Sequence, residues 1–275
     1  MKQKVYKKKS LYKRIRHYLR IWRRIVKSGL KRSFFNKKVF VARLFRTAFV
    51  IGAQLLLLDV IFSGSGDYVG WTKPQTYLVL GIWNVVNYSC WSLFGINFNL
   101  LQDKVLSGSF DYTLLKPVSS WCLASFGDFF IHNLVNVLSG FVLIGYYIYM
   151  EWGSISIFNC IFLIFAILIS IVICYFIFLF FASFIIAEPR TGTISISKEL
   201  VGVTKYPIDI FGSSLSFVFY TFVPIGFITT VPANLLIGRT SYVYLLYGLF
   251  VTVLLGIISI GMWNRNLKKY CSMNS

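Results

Sequence analysis

The sequence predicts an all-α membrane protein with six transmembrane helices, an N-terminal amphipathic interfacial helix and a short cytoplasmic helical loop. Three observations carry that prediction. Of 275 residues, 57% are hydrophobic, 19% aromatic and only 13% charged, whereas soluble domains carry about 25% charged residues. Several charge-free runs exceed the roughly 18 residues that mark a bilayer span, and a soluble fold of this size has no core able to hide them. The charge is also segregated: of 28 Lys and Arg, 18 lie between Lys2 and Arg46. The net charge of +19 is therefore a property of one segment, and no nucleic-acid partner is expected.

Residues 1–43 form the first unit. Leu11, Ile15, Leu19, Trp22, Val26 and Leu30 recur every three or four residues, with Lys and Arg on the other faces. That spacing describes an amphipathic helix with an apolar stripe. Lying in the headgroup region, it would be held by anionic lipid at about 1 kcal/mol per basic residue. A nucleic-acid or calmodulin-type target helix has the same pattern, but attachment to a membrane domain favours the lipid surface. No small-residue cleavage site follows the first apolar run, so that run is expected to stay in the membrane.

Residues 44–275 form the second unit, a six-span domain. The first span is expected over Leu44–Phe62, ending at Ser63-Gly64-Ser65-Gly66-Asp67. The second covers Gln75–Phe98 and the third Trp121–Met150. No charge falls between Glu151 and Glu188, and no turn cluster divides that interval, so a single long helix is expected over Ile155–Ala187. A polar stretch, Glu188–Asp209, precedes a fifth apolar segment over Ile210–Ile237. Pro224 and Pro232 should break it into a span and a re-entrant piece. The last span is Tyr242–Trp263. With the N-terminus inside, cytoplasmic loops and tail hold Lys104, Lys116, Arg190, Lys198, Lys205, Arg265, Lys268 and Lys269, against Lys73 and Arg239 outside. That asymmetry fits the positive-inside rule with both termini cytoplasmic.

Catalytic machinery is scarce. The two histidines, His17 and His132, are far apart, and there is no His-Glu-x-x-His, Cys-x-x-Cys or Gly-x-Ser-x-Gly pattern. Cys90, Cys122, Cys160, Cys174 and Cys271 have no metal-type spacing and are expected to be packing residues. The Walker loop that cradles ATP phosphates is missing. The chain is expected not to be an enzyme and to bind no cofactor of its own; any ATP it uses must be bound elsewhere.

Polar residues in spans are costly and mark candidate sites. Ser125, Asp128, His132, Asn136 and Ser139 follow helical spacing on the third span, Asn84, Asn87 and Ser92 lie on the second, and Gln54 and Asp59 on the first. Asn84, Asn87, Asp128, His132 and Asn136 are the candidates for a polar pathway. The competing reading is interhelical hydrogen bonding at about 0.6 kcal/mol per contact.

Between spans two and three, Leu100, Leu101, Val105, Leu106, Phe110, Leu114 and Leu115 alternate with polar groups, punctuated by Gly108 and Pro117. Such an amphipathic element suits docking into a groove of a soluble partner, or it is an ordinary interfacial loop.

The run Leu106-Ser107-Gly108-Ser109-Phe110-Asp111-Tyr112-Thr113-Leu114-Leu115-Lys116-Pro117 resembles the loop signature of bacterial ABC-2-type exporter permeases. Lys205-Tyr206-Pro207-Ile208-Asp209-Ile210-Phe211, the prolines Pro224 and Pro232, and the tail from Lys269-Tyr270 to Ser275 are similar to further motifs of that family, in the same order. The strongly basic N-terminus departs from it. The resemblance implies a permease subunit of an ATP-driven exporter in the bacterial cytoplasmic membrane, paired with a second permease copy or paralogue. ATP and Mg would sit on separate ATP-binding subunits. The loop after span two would be a coupling helix whose contact residues are Leu101, Asp103, Leu106, Gly108, Phe110, Asp111, Leu114, Leu115 and Pro117. Phe110→Asp is then expected to leave insertion intact and weaken partner binding. The alternative is a membrane scaffold that binds lipid and proteins without transport.

Overall fold

The computed structural model describes residues 37–63, 67–129 and 133–273. The basic helix expected from residue 1 onward, up to residue 36, lies outside the described residues, as does His132. Helix α1 (Lys37–Phe62) begins seven residues ahead of the expected first span. It leans on the bundle only lightly: 6% of its apolar window Leu44–Phe62 is buried, against 72% for the window Lys73–Leu106.

A two-residue turn joins strand β1 (Asp67–Tyr68) to strand β2 (Trp71–Thr72), antiparallel, with Asp67 opposite Thr72. Val69 and Gly70 both have positive φ, 51° and 74°, the geometry whose twist matches the flanking strands. Thr72 then caps helix α2 (Lys73–Cys90) in a reciprocal box with Gln75, and Pro74 occupies the first turn, where its missing N–H is not needed.

Helix α2, a π-helical turn at Trp91–Gly95 and helix α3 (Ile96–Leu106) form one rod of 34 residues, about 50 Å long. This rod is the hub, packing on the sixth, seventh and tenth helices. Its closest crossing pairs Gly81 with Gly140. A Cβ on Gly140 would stand 2.6 Å from the Gly81 carbonyl oxygen, so only glycine lets these backbones approach.

The expected third span is not one helix. Helix α4 (Asp111–Leu114) and helix α5 (Ser120–Ser125) precede a non-helical stretch, and helix α6 (Leu134–Met150) follows it. The cause is Asn97 on α3. Its Nδ2 donates to the Asp128 carbonyl at 2.8 Å, and its Oδ1 accepts the Asp128 N–H at 2.8 Å. Those two bonds satisfy the backbone that a helix would otherwise satisfy itself. The stripe Ser125, Asp128, Asn136, Ser139 is therefore divided among α5, the clamped stretch and α6.

Helix α7 (Ile157–Ala187) matches the expected long fourth helix, capped by Ser156. The polar stretch after it is largely helical: α8 (Thr193–Val203) packs back on α7, with Thr193 Oγ1 donating to the Phe181 carbonyl. The fifth segment then breaks into a 3-10 turn (Ile208–Phe211), α9 (Gly212–Thr221), a second 3-10 turn (Ile225–Phe227) and α10 (Thr230–Ile237). Pro224 sits at a break, as expected. Pro232 does not; it lies in the opening turn of α10, where a missing N–H leaves no bond unmade. Helix α11 (Val243–Met273) runs ten residues beyond the expected end and packs along α7.

Among the described residues, four helices are long and apolar enough to cross a membrane: Leu44–Phe62, Lys73–Leu106, Ile157–Ala187 and Val243–Tyr270; Leu134–Met150 and Ile208–Thr221 are shorter apolar segments. Side chains bonded to backbone carbonyls hold them together. Ser170 donates to Phe227 at 2.8 Å, Ser259 to Phe176 at 2.8 Å, Asn159 to Leu236 at 3.1 Å and Asn266 to Ser183 at 3.0 Å.

Candidate functional site

The loop between α3 and α5 is built on a sharp stop. Helix α3 ends at Ser107, and Gly108 takes φ +71°, a left-handed conformation that suits glycine. The Phe110 N–H then returns to the Lys104 carbonyl at 2.9 Å, folding the chain back under α3.

That reversal drives Phe110 inward. Its ring is fully buried, edge-on to Trp263 (centroids 6.4 Å) and Tyr270 (5.7 Å) of α11. Beside it the Tyr270 hydroxyl donates to Asp111 Oδ1 at 2.7 Å, and Trp263 Nε1 donates to Ser120 Oγ at 3.0 Å. Both ends of the loop are thus fastened to the last turns of α11. Sequence reasoning missed this anchor. The readable signal was Trp263, Asn266 and Tyr270, which fall at i, i+3 and i+7 on one helix face.

The expected contact residues divide accordingly. Leu101 and Phe110 are buried within the chain and offer nothing to a partner. Phe110→Asp should therefore place a charge in the aromatic cluster and destabilise the loop, which corrects the expectation of an intact, merely non-binding variant. Leu114 is half-buried against the core, and Asp111 is engaged by Tyr270. Asp103, Leu106, Gly108, Leu115 and Pro117 are exposed. Leu106, Tyr112 and Leu115 give the loop an apolar outer face, with Leu115 81% and Tyr112 72% exposed; Tyr112 was not among the expected contacts.

The expected pathway residues lie on α2 (Asn84, Asn87), in the stretch before α6 (Asp128) and on α6 (Asn136). Asn84, Asn87 and Asn136 are buried, and neither amide atom of Asn84 has a protein partner. Asp128 belongs to the non-helical stretch clamped by Asn97. Asn84, Asn87, Asp128 and Asn136 are all absent from the walls of a cavity of about 620 Å³ that lies between α1, the start of α2 and the end of α8. On its wall, Trp71 Nε1 donates to Asp209 Oδ2 at 3.3 Å, and Tyr220 donates to the other Asp209 oxygen at 3.1 Å. Arg239 bonds the Gly70 carbonyl and Gln75 Oε1, both at 2.9 Å, so the broken fifth segment is latched to the β1–β2 hairpin.

A family model described as ABC-2 family transporter protein matches residues 48–274, most of the chain. The chain belongs to the ABC-2 transporter family. No curated protein and no solved structure matches it. This ABC-2 family member is accordingly a multi-pass membrane protein and a transporter component. The match covers the α3–α5 loop, the broken fifth segment and α11.

Proposed function

We propose that this chain is a permease subunit of an ATP-driven exporter, acting with a second permease copy or paralogue and a separate ATP-binding subunit. The four long apolar helices, α6 and the broken α8–α10 segment would supply six crossings. A helix of α6's 17 residues rises about 25 Å, close to a hydrocarbon core of about 30 Å. The chain has no Walker loop, so ATP and Mg act on the partner subunit.

The observation that carries this reading is the loop between α3 and α5: an apolar face of Leu106, Tyr112 and Leu115 on a body bolted to α11. A partner that grips the face moves the bolt. Because α11 packs along α7 and α3 continues into the central rod, a push on the loop reaches three long helices without an intervening flexible joint. Aromatic anchors such as Tyr112 are enriched among the few residues that carry most of the energy of a protein interface, and the flanking leucines would exclude water around it.

Purification of the tagged chain from mild detergent, with identification of what accompanies it, tests the proposal. A stoichiometric ATP-binding-cassette subunit supports it. A monodisperse chain without such a subunit would refute it and favour a non-transporting membrane scaffold.

A further inference from the structure

The 620 Å³ cavity lies within the range of small-ligand pockets. Its walls are apolar along Leu58 and Ile61 of α1, Trp71 of β2, and Pro207, Ile210 and Phe211. The polar residues of the wall are Thr76, Glu199, Lys205 and Tyr206. Lys205 is half-buried, with its Nζ 4.8 Å from the centre of the Trp83 ring. Trp83 lies about 15 Å along the rod from Lys73, and its indole N–H is already committed to the Val201 carbonyl at 2.9 Å. Among the described residues Lys205 has no ion pair; Glu199, on the same wall, is exposed and does not reach it. A ring face balances only part of an ammonium charge taken out of water. A half-buried ammonium that faces a cavity and is held only by a ring face can take a partner of opposite charge there.

We infer that this cavity binds a single-chain anionic amphiphile. Its acidic head rests on the Lys205 ammonium, and its aliphatic tail runs along Leu58 and Ile61 toward Trp71. As a class of cargo, the amphiphile rests on the permease reading; its binding to this chain does not.

The test is tryptophan quenching of the purified chain in nonionic micelles at mildly alkaline pH, with dibrominated stearate as probe. Bromine quenches an indole on contact, and Trp71 and Trp83 flank the site. The expected result is saturable quenching, with the acid at least tenfold tighter than its uncharged methyl ester. Lys205→Gln should erase that preference. Gly202→Leu, on the cavity wall where an added Cβ meets nothing within 4 Å, should weaken acid and ester alike. Equal quenching by acid and ester in the unaltered chain would overturn the inference. So would a preference that survives in a Lys205→Gln variant eluting like the original. Lys205-dependent quenching by brominated phosphatidylglycerol that stearate cannot displace would assign the site to bulk lipid, and also overturn it. None of these readings involves an ATP-binding subunit, so they fail independently of the permease proposal.

Discussion

Phe110 shows how one buried ring organises the loop. It meets Trp263 and Tyr270 edge-on, an arrangement that adds about 0.5–1.5 kcal/mol per pair to area burial. Phe110→Ala should cost about 3–5 kcal/mol, read as a lowered thermal-unfolding midpoint in detergent. Tyr270→Phe keeps the ring and removes only the hydroxyl bonded to Asp111 at 2.7 Å, so about 1 kcal/mol should be lost. By contrast Leu115, at 81% exposure, has little to lose on folding. Leu115→Asp should leave the midpoint within about 0.5 kcal/mol of the original while reducing capture of the ATP-binding subunit about tenfold or more. The contrast between Phe110 and Leu115 was not visible in the sequence. Both are apolar residues in an alternating run, and only the reversal at Gly108 decides which one turns inward.

The elements were legible where apolar length alone decides them. Ile157–Ala187 reads as one helix because nothing polar or turn-forming interrupts it. The third segment failed because the cause of its break lies elsewhere in the chain: the Asn97 side chain, 31 residues upstream, takes both backbone groups of Asp128. Asn97→Leu should free the Asp128 N–H, and hydrogen exchange at that amide should accelerate while amides in α7 keep their protection. Polar composition misled in the opposite direction at Thr193–Val203, where Ile194, Ser197 and Val201 are buried against the bundle. The i, i+3, i+7 spacing of those three is helical, but two of them are aliphatic and one is a serine that returns its hydroxyl to Ile194 at 2.6 Å. The contact between α2 and α6 has its own test. Gly140→Ala would force the Gly81 carbonyl away from a 2.6 Å approach, so the variant should lose about 1–3 kcal/mol, seen as reduced folded yield.

At the scale of the whole molecule, packing is graded across the chain. The central rod is mostly buried, α11 is held along one side, and α1 is nearly free. The resemblance noted in the sequence and the family match agree on what the chain is. Neither showed that the loop is fastened to the final helix, because that contact joins residues about 150 positions apart (Asp111 with Tyr270, Ser120 with Trp263). The residues expected on a polar pathway, Asn84, Asn87, Asp128 and Asn136, sit on the rod, the clamped loop and α6. Bonds between elements come from Ser170, Ser259, Asn159 and Asn266, small polar residues that are inconspicuous in an apolar run.

The face of Leu106, Tyr112 and Leu115 is the one proposed to carry the ATP-binding subunit. Site-directed cross-linking tests it most directly, in a background with the native cysteines replaced and the ATP-binding subunit co-expressed. Leu115→Cys and Tyr112→Cys should each cross-link to that subunit through a short thiol reagent, with an efficiency that changes on adding ATP. Val69→Cys, in the β1–β2 turn, should give none. Cross-linking at Val69, or none at Leu115 and Tyr112 in an assembled complex, would show that the subunit docks elsewhere.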